Sequence, residues 1–200
     1  MTGSATPPER YGAVAIALHW GIGIALLAQL AFGFCLDDLA PRGTPARATV
    51  INLHKSTGIV LGLLIVARVA WRVRHRPPPL PDGFPARRAG LVALGHRALY
   101  ACMIGAPLAG YLASNFSRHG VRFFGTMLPP WGPDDARLYA LFNGLHVALA
   151  VILAVLVAGH VGVAIAHASR DGGRLFGRRW PARKRAARKR AARKRAARGA

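Results

Sequence analysis

Acidic residues are scarce in this 200-residue chain: seven Asp and Glu stand against 28 Lys and Arg, for a formal charge of +21. The acids also avoid the apolar parts of the sequence: Glu9, Asp37, Asp38, Asp82, Asp134, Asp135 and Asp171 all fall outside the long hydrophobic runs. Carboxylate-rich metal centres inside those runs are thereby excluded. Cysteine is nearly missing too, with only Cys35 and Cys102. They fall in opposite halves of the expected membrane topology, so no disulfide is expected between them. The sequence has no Cys-x-x-Cys-His, which excludes covalent haem attachment by that signature.

Apolar residues are abundant, at 52%, and they gather in four blocks, about 13–34, 49–73, 89–113 and 138–168. Each is long enough to cross a hydrocarbon core of ~30 Å as a helix of ~20 residues. Four spans leave too little chain for a separate soluble domain. The expected fold is therefore all-α, an integral-membrane four-helix bundle over 13–170, preceded by a leader at 1–12 and followed by a tail at 171–200. The first block reads as a retained helix: Glu9 and Arg10 precede it, and its apolar stretch is too long for a signal peptide.

Twelve of the 28 basic residues lie at 178–200, where Arg183-Lys184-Arg185-Ala186-Ala187 nearly repeats. That tail is low-complexity and suits contact with anionic lipid headgroups, with no specific nucleic-acid partner. Arg72, Arg74, Arg76, Arg87 and Arg88 make the second link basic as well. By the positive-inside rule, both the second link and the tail face the cytoplasm, and both termini are inside. The second link, rich in proline from Pro77 to Pro85, reads as an extended strap. The third link, with Phe123, Phe124 and Trp131, reads as an interfacial segment over the outer end. Pro107 predicts a kink within the third span.

Ionisable groups inside a membrane are costly and usually functional. His146 and His160 stand fourteen residues apart in the fourth block. That spacing brings them to within ~40° of one helix face and ~21 Å apart along the axis. Counted from the span ends, His54 matches His146 in depth in the outer half, and His19 matches His160 in the inner half. A lone membrane histidine usually serves as a polar contact between helices. Four of them, matched in depth on three helices and without carboxylates, suit haem iron better than a hard cation. Depth alone leaves His96 open as an inner ligand. His167 lies at the boundary, where a haem propionate, a quinone or water are its natural contacts. His75 and His119, in links, are expected to face solvent.

Gly23, Gly58 and Gly62 follow the histidines at helical spacing, where they suit either a flat cofactor or plain helix packing. Arg68 falls on nearly the same face as His54, fourteen residues on, and points into the bundle. A buried arginine needs a partner, which an inner haem propionate would supply; the other reading is snorkelling to the interface. Lys55 invites the same two readings for the outer site.

The ordered motifs carry a resemblance. Arg10-Tyr11, Leu18-His19-Trp20, His54-Lys55-Ser56 with Gly58, Arg68 with Trp71-Arg72, Gly95-His96 with Leu99-Tyr100, and Pro107-Leu108 with Gly110-Tyr111 precede the His146/His160 pair. From Arg10 to Ser169 the chain resembles the bacterial cytochrome b561 family of di-haem membrane proteins. The resemblance implies two non-covalent, bis-histidine haem b groups in a multi-pass protein of the bacterial inner membrane. By position, His19 and His160 would hold the inner haem and His54 and His146 the outer one, leaving His96 beside the site rather than on the iron. Some relatives are similar to superoxide oxidases, which pass electrons from superoxide to ubiquinone. Others are carriers or relay subunits that hand electrons between quinone and a partner dehydrogenase or hydrogenase. The basic tail is not part of the family pattern.

Overall fold

The computed structural model describes residues 12–75 and 85–170. The leader, most of the proline-rich link and the basic tail lie outside the described residues. Four long helices carry the fold: α1 (Ala13–Phe34), α3 (Ala46–Arg74), α4 (Ala86–Asn115) and α5 (Ala136–Arg170). All four are long and apolar enough to cross a membrane. Each begins and ends within three residues of the span expected from the apolar blocks. Two smaller features were not anticipated: a single helical turn, α2 (Leu36–Leu39), and a hairpin of β1 (Val121–Phe123) and β2 (Thr126–Leu128).

Helix starts follow from local chemistry. Pro45 and Pro85 precede α3 and α4, where a missing N–H costs nothing. Asp135 opens α5 by accepting hydrogen bonds at Oδ1 from the backbone N–H of Arg137 (2.8 Å) and Leu138 (3.0 Å). Pro107 sits inside α4, which continues through it. Across from it, a Cβ on Gly62 would lie 3.5 Å from Pro107 Cβ, so Gly62 serves helix packing there.

The helices pack in the order α1 on α3, α3 on α4, and α4 on α5. Their shared core consists of Ile22 and Leu26, Leu61 and Ile65, Cys102 and Met103, and Leu153. Ile65 and Leu153 are 1% and 2% exposed, the tightest points of this layer. Leu153 is midway between His146 and His160, so the apolar layer lies between the two histidine levels. Large apolar side chains such as Ile24, Leu63 and Val155 point outward, as lipid contact requires.

The hairpin pairs Val121 with Leu128 and Phe123 with Thr126. Phe124 (φ 44°) and Gly125 (φ 103°) form its two-residue turn, the left-handed geometry that matches strand twist. It is pinned to α3. Ser56 Oγ accepts from Phe124 N–H (3.0 Å) and lies 3.1 Å from the carbonyl of Arg122, while Lys55 Nζ donates to the carbonyl of Gly120 (2.9 Å). The bundle thus has a hairpin end and, opposite, an arginine end marked by Arg68, Arg72 and Arg74.

Candidate functional site

Two histidine pairs form, one at each end of the apolar layer. Near the hairpin end, the rings of His54 on α3 and His146 on α5 have centroids 6.2 Å apart, with planes at 81°. Near the arginine end, His19 on α1 and His160 on α5 are 6.4 Å apart at 74°. Two metal–imidazole bonds of ~2 Å, plus ~1.2 Å from each nitrogen to its ring centre, require ~6.4 Å between opposed centroids. Both pairs therefore fit one iron between two imidazoles. Among the described residues no three His, Cys, Asp or Glu side chains converge as metal ligands. Each pair offers two imidazoles, a number that would suit a macrocycle bringing its own four nitrogens.

The backbone orients the His146 ring. Its Nδ1 is 2.8 Å from the carbonyl oxygen of Ala106, which only accepts, so Nδ1 carries the proton and Nε2 keeps its lone pair. The approach needs a helix with no side chain at Gly110, whose Cβ would lie 2.9 Å from His146 Nδ1. Gly33 on α1 plays the same part for His54, with a Cβ position 3.0 Å from Cε1. On its other side, His54 meets Gln29. The Gln29 amide Nε2 donates to the His54 carbonyl (2.8 Å) and lies 3.1 Å from His54 Nδ1, while Oε1 accepts from Thr57 Oγ1 (2.8 Å).

At the other level, Arg68 donates from Nη2 to His19 Nδ1 (3.0 Å) and from Nη1 to the Leu18 carbonyl (3.3 Å). Its guanidinium thus reaches α1 across the helix interface. Its guanidinium and that of Arg72 lie 6.0 and 5.9 Å from the Tyr100 ring centre. His96 joins this group: Nδ1 is 2.7 Å from the Val92 carbonyl, and its ring lies 5.5 Å from that of His160. That separation is shorter than one iron between two rings requires, whereas the His19–His160 separation matches it.

Other expectations are adjusted. Lys55 is tied to Gly120 and does not extend freely to the interface. A Cβ on Gly58 would meet Gln29 at 3.2 Å, so Gly58 and Gly62 adjoin neighbouring side chains; Gly23 faces open space. His75 and His119 are exposed, His75 stacking on Trp71 at 3.9 Å. The side chain of His167 lies outside the described residues.

A cavity of about 1590 Å³ extends from His54 and His146 to the hairpin end. It exceeds the ~300–1,000 Å³ of an ordinary ligand pocket and so has room for a planar macrocycle and an entry path. Arg42, Arg47, Lys55, Arg118 and Arg122 line it, against one acid, Asp134.

The model of the prokaryotic cytochrome b561 family matches residues 10–178. Cytochrome b561 homolog 2 of Escherichia coli K12 is 37% identical over 163 residues, covering 80% of this chain and 85% of the relative. Cytochrome b561 homolog 1 of the same strain is 26% identical, covering 80% and 90%. A probable superoxide oxidase, CybB, of Yersinia pestis is 24% identical, covering 80% and 89%. With its four apolar helices, the chain belongs to the prokaryotic cytochrome b561 family: it is a multi-pass electron-transfer protein of the bacterial inner membrane, in a family that implies b-type haem.

Proposed function

We propose that the chain holds two haem b groups and moves single electrons between an anionic donor at the hairpin end and ubiquinone. The observation that carries this reading is the pair of histidine sites at 6.4 and 6.2 Å with the Ile65–Leu153 layer between them. His54 and His146 hold the group at the hairpin end, and His19 and His160 the group at the arginine end. Haem b supplies a one-electron iron couple at each level.

The protein's own residues supply the rest. Ala106 fixes the tautomer of His146, and Gly33 and Gly110 admit the rings. Arg68 would pair a propionate of the group held beside His19, since no carboxylate lies in the spans to pair it. The apolar layer keeps water out between the levels. Arg42, Arg118 and Arg122 draw an anion toward the cavity. Superoxide suits that field: each one gives up an electron and leaves as dioxygen, and two electrons with two protons turn quinone into quinol. The hairpin end, with Asp37, Asp38, Asp134 and Asp135, faces the periplasm, and the arginine end faces the cytoplasm.

Haem quantitation with reduced-minus-oxidised spectra tests the ligand set. Alanine at His54 or His146 should remove one haem, and alanine at His19 or His160 the other, while His96→Ala keeps both. If His96→Ala removes a haem and His19→Ala does not, the inner pair is His96 and His160. Purified protein should oxidise superoxide only when quinone is present, at a rate that falls as ionic strength rises. Quinone-independent or absent turnover would sink the superoxide reading.

A further inference from the structure

Two guanidiniums at the arginine end share one aromatic ring. Arg68 and Arg72 stand four residues apart on α3, so their side chains leave the same helix face one turn apart. Their guanidinium carbons lie 6.0 and 5.9 Å from the centre of the Tyr100 ring on α4. Arg68 also spans to α1, where Nη1 meets the Leu18 carbonyl at 3.3 Å, beside His19. Both arginines and Tyr100 are half-buried, whereas Arg74, two residues further along α3, is exposed.

Like charges at this spacing oppose one another, and the electron-rich face of one ring offsets only part of that. An arginine inside a membrane calls for an anion, and its planar fork matches a carboxylate. The spans supply none: no Asp or Glu falls within α1, α3, α4 or α5. Arg47, by contrast, has an acid of its own in Asp37, outside the spans. The arginine end therefore suits a ligand that brings two acidic groups to the space beside His19. Haem b carries two propionates on one edge of its ring, which matches two arginines on one helix face.

We propose that Arg72 joins Arg68 in clamping both propionates of the arginine-end haem, and that Tyr100 is the positioning residue that holds the two guanidiniums for it. The inference rests on the reading that His160 helps to hold a haem at that end. The clamp selects a tetrapyrrole with two free carboxylates and fixes which of its edges faces the end of α3. Each arginine then trades repulsion from its neighbour for a charge-assisted hydrogen bond. Tyr100 keeps both side chains from turning away to the interface, where the exposed Arg74 already lies.

Haem dimethyl ester, whose two propionates are capped, is the probe. The full chain is loaded with haem b or with the ester, and release to an excess of a haem-scavenging apoglobin is followed by absorbance. Arg72→Gln should speed release of the haem b that His160→Ala removes by about tenfold, or ~1.4 kcal/mol, and leave release of the ester unchanged. Tyr100→Leu keeps both charges but removes their platform, and should speed haem b more weakly while sparing the ester. Arg74→Gln should change neither. Equal acceleration of haem b and ester by Arg72→Gln overturns the proposal, because it means that Arg72 supports packing and not a carboxylate. Acceleration of neither overturns it as well. Should that variant not fold, Arg72→Lys, which keeps the charge and loses the fork, carries the same expectation at smaller size. The reading of a haem at this end fails separately, by His160→Ala keeping both haems, and that is read from haem content.

Discussion

Gly110 acts through the space it leaves. His146 reaches the Ala106 carbonyl only because no Cβ stands 2.9 Å from its Nδ1. Gly110→Ala therefore has to push the ring away or bend α4, and overpacking of this kind costs ~1–3 kcal/mol. The expected result is loss or broadening of the hairpin-end haem signal, with the arginine-end haem retained and the helical content unchanged. Equal retention of both signals would show that His146 does not depend on this contact. The same residues show how much of the site was legible in the sequence. All four paired histidines could be read from depth and spacing, because each is a rare polar group in an apolar run. Gly110 appeared only within a motif. Ala106 could not be found at all, because its contribution is a backbone carbonyl, which every residue possesses. Gln29 carried no reading in the sequence, because its partner is His54 across 25 positions, a separation that helical periodicity does not encode.

At the scale of elements, the spans were legible because lipid demands long apolar runs, and each helix begins and ends within three residues of its expected bounds. The hairpin was not. Its turn is Phe124-Gly125, lacking the Asn-Gly or Asp-Gly signal, and its strands are only three residues each. Hairpins this short are marginal alone, so this one depends on its attachment to α3. Ser56 is the chief attachment: 1% exposed, it accepts from Phe124 N–H and sits within reach of the Arg122 carbonyl. Ser56→Ala should cost ~0.5–1.5 kcal/mol locally and speed exchange of the Phe124 amide by up to about tenfold. Hydrogen exchange across 121–128 measures this, and unchanged protection would place the hairpin's stability elsewhere. Because Ser56 follows His54 and Lys55, the same turn of α3 carries a proposed ligand and the hairpin's two anchors. An opened hairpin is therefore expected to widen the cationic cavity without removing the haem.

For the whole molecule, orientation decides which compartment supplies the donor. The cationic cavity and His54–His146 lie at the hairpin end, and the charges at that end are mixed with Asp37, Asp38, Asp134 and Asp135. At the other end Arg72, Arg74, Arg87 and Arg88 flank α3 and α4, with Asp82 the one acid in the sequence of the link between them. Insertion disfavours carrying such a basic cluster across the membrane, and the proposed orientation accordingly sets the hairpin end in the periplasm. The chain contains its own reporter for this arrangement. Cys35, at the hairpin-end terminus of α1, is exposed, whereas Cys102 is buried inside α4. A membrane-impermeant maleimide should label Cys35 in cells whose outer membrane alone has been opened, and Cys35→Ser should abolish that signal. Cys102 should react only after denaturation, since its thiol lies in the apolar layer between the two histidine levels. Labelling of Cys35 that appears only when the inner membrane is breached would invert the molecule. It would put the cationic cavity in the cytoplasm and make a periplasmic anion impossible as its donor, while leaving the two histidine pairs as they stand.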